Sequence, residues 1–163
     1  MSGSPEDTPW LDETELDAWV RLALLTLRLP LELDRQLQRD SGMTLMEYFV
    51  LSGLSETPDR CLRMSTLATL TGSQPPRMSQ VVRRMESRGW VARRPDPQDG
   101  RSTLAALTDK GHRVLVAAAP EHVRTVRQLV LDPLTKAQVA QLAAIAGRID
   151  TAIDPDYRLP PRR

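Results

Sequence analysis

The stretch "SQPPRMSQVVRRMESRG", Ser73–Gly89, carries two patterns on one helical period. Met78, Val81, Val82 and Met85 fall on a single face, the spacing of a stripe that packs inward. Pro75 and Pro76 suit the first turn of a helix, where a missing N–H costs nothing, and Gly89 suits its far end. Ser73 is the expected N-cap. The opposite face presents Gln74, Arg77, Ser79, Gln80, Arg83 and Arg84, all hydrogen-bond donors, with Ser73 and Pro76 completing the surface at the first turn. Just upstream, "MSTLATLTG", Met64–Gly72, reads as a short helix with Leu67, Ala68 and Leu70 inward, closed by Gly72 in the left-handed conformation. Two short helices joined by a tight glycine turn, the second rich in Gln, Ser and Arg on its outer face, form the helix-turn-helix arrangement that enters a major groove. Arg bonds guanine O6 and N7 with two N–H groups, and Gln does the same to adenine. The plainer alternative for the same segment is a solvated surface helix.

Downstream lies "RRPDPQDGRS", Arg93–Ser102, between "GWVA" and "TLAAL". The flanks read as short strands, because Val, Trp, Thr and Leu suit a pleated surface while Pro and Gly interrupt pairing. The segment is then a hairpin tip beside the second helix, a wing. An arginine on such a tip can reach a narrow minor groove. Arg101 is the candidate, with Asp99 expected to hold its guanidinium by a paired hydrogen bond, and Arg94 at the shoulder is a candidate for phosphate contact. A plain solvated turn is the alternative. A calcium loop is excluded, since Gln98 and Gly100 stand where oxygen ligands are needed and no Glu closes twelve residues.

Charge supports the same segment. Residues 60–101 hold nine arginines against Glu86, Asp96 and Asp99, a net +6 in a chain whose total is +1. The first nineteen residues hold six acids and no Lys or Arg. Positive charge concentrated on one part of a near-neutral protein is the footprint of a nucleic-acid binder, or of a solvated Arg-rich surface in a chain with only two lysines. The length, 163 residues with 40% apolar and 26% charged, suits one globular domain. No apolar run reaches membrane-spanning length and the acidic N-terminus is unlike a leader, so a cytoplasmic protein without membrane contact is expected. The single cysteine, Cys61, has no partner for an internal disulfide or a CxxC site.

Around this centre the chain reads as helices: a long one over about 12–39, which Pro30 either kinks or splits; one from Thr44 to Ser55 with Thr44 and Glu47 as a capping box; one from about Thr108 toward "LDPLT"; and a last one over about 136–152. Val139, Leu142, Ile145, Ile149 and Ile153 give that last helix more apolar width than one contact would cover, which points to a partner. The expected fold class is therefore mainly α with a small β-hairpin wing.

The block from "RMSTLATLTG" to "RSTLAALTDKG", Arg63–Gly111, resembles the winged helix-turn-helix regulators of the MarR family, most specifically in the wing "DxR" followed by "LT..G". The resemblance covers residues 12–153 and implies a DNA-binding region at about 44–108, dimerisation helices at about 12–39 and 108–153, and flexible ends at 1–11 and 154–163. It implies an obligate homodimer with interlocked N- and C-terminal helices, acting on a palindromic double-stranded DNA operator without a cofactor. Carried over residue by residue, Gln74, Arg77, Ser79, Gln80, Arg83 and Arg84 match the recognition surface and Asp99 and Arg101 the wing pair. The family commonly binds small phenolic or aromatic anions, for which Trp19, Arg21 and Tyr48 are the candidate lining here, with core packing as their alternative role. Peroxide-sensing members carry a reactive cysteine near the start of the first helix, where this chain has none; Cys61, in the loop before the short helix, reads as a small apolar filler. An enzyme is disfavoured, because His112 and His122 stand beside no cysteine or carboxylate partner and read as surface or interface residues. A winged-helix adaptor without DNA is the remaining alternative, and it would expose apolar or acidic positions where this helix exposes basic ones.

Overall fold

The computed structural model describes residues 8–155, and most of the expected flexible ends, 1–11 and 154–163, lies outside them. The chain divides into two units, Met1–Glu32 and Leu33–Arg163. Helix α1 (Glu13–Ser41) contributes to both. It starts on a reciprocal cap, in which the Asp12 carboxylate accepts the Glu15 N–H at 2.8 Å and the Glu15 carboxylate accepts the Asp12 N–H at 3.0 Å. The helix is unbroken at Pro30, so the chain takes one helix where the sequence allowed two. Along the first unit Leu16, Trp19, Val20, Leu24 and Leu27 are exposed.

In the second unit, α2 (Leu45–Glu56) opens on the expected capping box, with the Thr44 hydroxyl accepting the Glu47 N–H and the Glu47 carboxylate accepting the Thr44 N–H. Then follow β1 (Cys61–Arg63), α3 (Met64–Leu70), α4 (Pro75–Ser87), β2 (Val91–Asp96), β3 (Asp99–Leu107), α5 (Asp109–Val126) and α6 (Lys136–Ile153). Five π-helical residues, Arg127–Leu131, extend α5 before the break at Asp132 and Pro133. The sheet is antiparallel in the order β1-β3-β2. The core gathers Leu37 of α1, Val50, Leu51 and Leu54 of α2, Leu67 of α3, the inward stripe of α4, Val91 and Leu115.

Two findings depart from the sequence reading. β1, with Cys61 opposite Ala106 and Arg63 opposite Leu104, was expected as loop. Three residues carry no alternation signal, and the strand exists only because β3 offers its second edge. His122 was expected at a surface or interface, and it is buried. Its Nδ1 lies 3.1 Å from the Gln36 side-chain oxygen and its ring packs on Tyr48 at 4.2 Å between centroids. Burial lowers the pKa of this imidazole and raises that of the Tyr48 phenol, so both prefer their neutral forms.

Candidate nucleic-acid interface

The geometry begins with the turn between α3 and α4. Gly72 has φ of +58°, its N–H donates to Thr69 O at 3.1 Å, and the Ser73 N–H donates to Ala68 O at 2.9 Å. This paired closure of a helix end uses the left-handed glycine the sequence supplied. Ser73 is consequently not the cap of α4. The N-cap is Gln74, with no side-chain cap bond. The reason lies in the prolines: at the first two helical positions they remove the N–H groups a cap would satisfy, and the turn has already drawn Ser73 back toward α3.

Helix α4 buries Met78, Val81, Val82 and Met85. That leaves Gln74, Pro76, Arg77, Gln80, Arg83 and Arg84 exposed and Ser79 half-buried. Arg77, Gln80 and Arg83 make no hydrogen bond or ion pair among the described residues, and the Arg83 charge acts only at longer range, on Glu86. Arg84 differs: its Nε donates to the carboxylate of Glu47 at 2.8 Å, and that carboxylate is buried. Arg88 is engaged as well, donating to Gly42 O at 2.9 Å and stacking on Trp90.

The wing is longer than expected, because β2 and β3 pair almost to the tip and leave only Pro97 and Gln98 as the turn. Its register shifts between Pro95, opposite Thr103, and Asp96, opposite Asp99. Gly100, Arg101 and Ser102 therefore stand opposite no residue of β2, a bulge that re-aims the side chains it carries. Arg94 and Arg101 are exposed on this hairpin. Asp99 does not grip the Arg101 guanidinium. Its carboxylate accepts the Ser102 hydroxyl at 2.7 Å and the Arg101 backbone N–H at 3.1 Å, and these two bonds hold its pKa below the usual carboxylate value, with the Arg63 charge adding to them. Asp99 shapes the turn. The acid with a guanidinium partner is Asp96, buried at the tip and bonded by Arg63 Nε at 2.8 Å. Arg93 likewise pairs with Glu86 of α4 at 2.8 Å, tying the wing to that helix.

The candidate effector residues are divided between the two units. Trp19 is 57% exposed and Arg21 pairs with Asp17 one turn away, at 2.7 Å; both belong to the first unit. Tyr48 is half-buried in the second, against His122. Among the described residues no group of three or more His, Cys, Asp or Glu is placed to hold a metal ion, and no helix is long and apolar enough to cross a membrane.

Three helices ending in α4, a hairpin beside it and a third strand closing the sheet define a winged helix-turn-helix protein. Comparison with known proteins gives the family. The model of the MarR family matches residues 41–102. An HTH-type transcriptional repressor of Mycobacterium tuberculosis is 38% identical over 97 residues, 60% of this chain and 68% of the relative. Among solved structures, Sco3205, a MarR family transcriptional regulator from Streptomyces coelicolor in complex with DNA, shares 41% identity with a TM-score of 0.86, covering 93% of this chain and 98% of that one. AbsC, another MarR family regulator of that organism, shares 32% identity with a TM-score of 0.85, covering 91% and 100%. The chain belongs to the MarR family of transcriptional regulators.

Proposed function

We propose that the chain is a repressor that binds a palindromic operator as a homodimer, inserting α4 into the major groove and the wing into the neighbouring minor groove, and that a small aromatic or phenolic ligand releases it. The observation that carries this reading is the outer face of α4, where Arg77, Gln80 and Arg83 present donors with no partner among the described residues. Unpaired guanidinium and amide groups on a helix held rigid by its buried stripe are positioned to bond base edges. The DNA complex of Sco3205 supports the choice of partner, and the release by ligand rests on family membership.

Selection from a random duplex library should return a two-fold site. Arg77→Ala should then cost about 1–3 kcal/mol at one or two base pairs of it and relax preference there, whereas Arg94→Ala, if Arg94 meets the backbone, should weaken all sequences alike. Unchanged binding of Arg77→Ala to the selected site would refute the assignment of α4.

Dimerisation is supported by apolar faces in each unit. Helix α6 has no buried residue, and Leu142, Ile145, Ile149 and Ile153 are exposed, the last by 77%. Leu16, Trp19, Val20 and Leu24 are exposed in the first unit. Contiguous apolar surface of this kind is costly in water and is met by burial in a symmetric partner. The interface is assigned to about residues 10–25 and 112–153. Sedimentation should give a dimer at micromolar concentration, and a stable monomer there would overturn the assignment.

A further inference from the structure

A cleft of about 400 Å³ lies between the start of α3, the outer side of α4 and the wing, and Arg63, Ser65, Ser79, Arg101 and Ser102 line it. Arg63 was not among the residues the sequence pointed to. We infer that Arg63, aimed by the buried Asp96, is a clamp for a DNA backbone phosphate seated in this cleft. The inference rests on the reading of α4 and the wing as the DNA-binding surface. If α4 occupies a major groove and the wing the adjacent minor groove, the strand that separates those grooves has to cross between the two elements, over the cleft.

The side chains there suit a phosphodiester. Arg63 uses its Nε for Asp96 Oδ2 at 2.8 Å and makes no other hydrogen bond or ion pair among the described residues, so the remaining N–H groups of its fork are available. Its side chain is 45% exposed, whereas Asp96 is 6% exposed. The Ser65 and Ser79 hydroxyls add neutral donors, the Ser102 hydroxyl being given to Asp99, and Arg101 adds a second cation whose guanidinium has no ion-pair partner among the described residues. A buried acid close to the path of a polyanion repels it, unless the acid is spent on fixing an arginine in the orientation a phosphate needs. Asp96 Oδ1 also accepts the Gln98 N–H at 2.9 Å, which locks the carboxylate to the wing turn and makes the arginine's aim a property of the hairpin.

The test is the salt dependence of binding to two duplexes of equal length, one selected by the wild-type chain and one unrelated. Arg63→Ala should lower affinity for both by the same factor, about tenfold, and reduce the slope of log K against log salt by about one. Arg63→Lys should keep the slope and lose part of the affinity, since it retains the charge but not the fork. Asp96→Asn should weaken binding although it removes a negative charge near phosphates, and should add nothing to Arg63→Ala. Melting curves check that each variant folds; should Asp96→Asn not fold, the slope of Arg63→Ala decides alone. Wild-type slope and affinity in Arg63→Ala, or tighter binding by a folded Asp96→Asn, would overturn the clamp while a wild type that selects a sequence leaves the reading of α4 standing. A wild type that selects no duplex removes both.

Discussion

Replacing Gly111 with alanine is expected to be among the most destabilising single changes in the chain, although it adds one methyl group. A Cβ at that position would lie 2.1 Å from the carbonyl oxygen of Trp90 and 2.9 Å from Leu107 Cδ1. The first of these is backbone, and it is not free to withdraw. Trp90 O accepts the Thr108 N–H at 3.1 Å, the Thr108 hydroxyl reaches both Gly89 O at 2.7 Å and Trp90 O at 3.1 Å, and that hydroxyl in turn accepts the Gly111 N–H at 3.0 Å. Thr108 thus caps α5 and fastens it to the end of α4 through one atom. The "LT..G" motif has its physical explanation here: Leu107 enters the core, Thr108 makes the clasp, and Gly111 allows the helix to approach the Trp90 carbonyl. Overpacking costs typically 1–3 kcal/mol when side chains can yield, so a clash with fixed backbone should cost about 3 kcal/mol or more, a fall in melting temperature of roughly 6–12 °C. Gly53→Ala in α2 is the control, since nothing lies within 4 Å of its added Cβ and alanine favours the helix it occupies. Equal melting temperatures for the two variants would refute this account of the motif.

What was legible in the sequence was local. The stripe Met78, Val81, Val82 and Met85 and the outward face of α4 follow from a 3.6-residue period, and the Gly72 turn and the Thr44–Glu47 box are set by residues within four positions of each other. What was missed joins distant parts of the chain. Arg63 meets Asp96 across 33 residues and Arg84 meets Glu47 across 37, and no spacing rule announces such a pair. β1 belongs to the same class, being a strand only by virtue of β3. Two errors had a signal in plain view. Consecutive prolines after Gln74 leave an N-cap side chain little to satisfy, and an Asp before Gly at a turn tends to bond the backbone two residues on, as Asp99 does to Arg101, rather than a neighbouring side chain.

The second large effect is expected at Glu47, whose carboxylate is 1% exposed and bonded on three sides. It accepts the Thr44 N–H at 2.7 Å and Arg84 Nε at 2.8 Å, with Arg88 Nη1 at 3.8 Å. One buried acid therefore ends the α1–α2 corner and holds the helix whose outer face carries Arg77 and Gln80. Glu47→Ala removes a helix cap and takes the carboxylate partner from two half-exposed arginines, and should cost about 2 kcal/mol. Arg84→Ala should cost less, because half of that side chain faces water and Arg88 remains near the carboxylate. A double-mutant cycle between the two should give a coupling of about 1–3 kcal/mol. The same pair of variants decides what Arg84 does on α4. Acting as an anchor, it should lower the melting temperature and DNA affinity together when replaced, whereas Arg77→Ala should lower affinity alone. An Arg84→Ala variant that melts like wild type yet loses base preference would make Arg84 a direct reader of DNA, and the ion pair with Glu47 a bond it exchanges for one with a base.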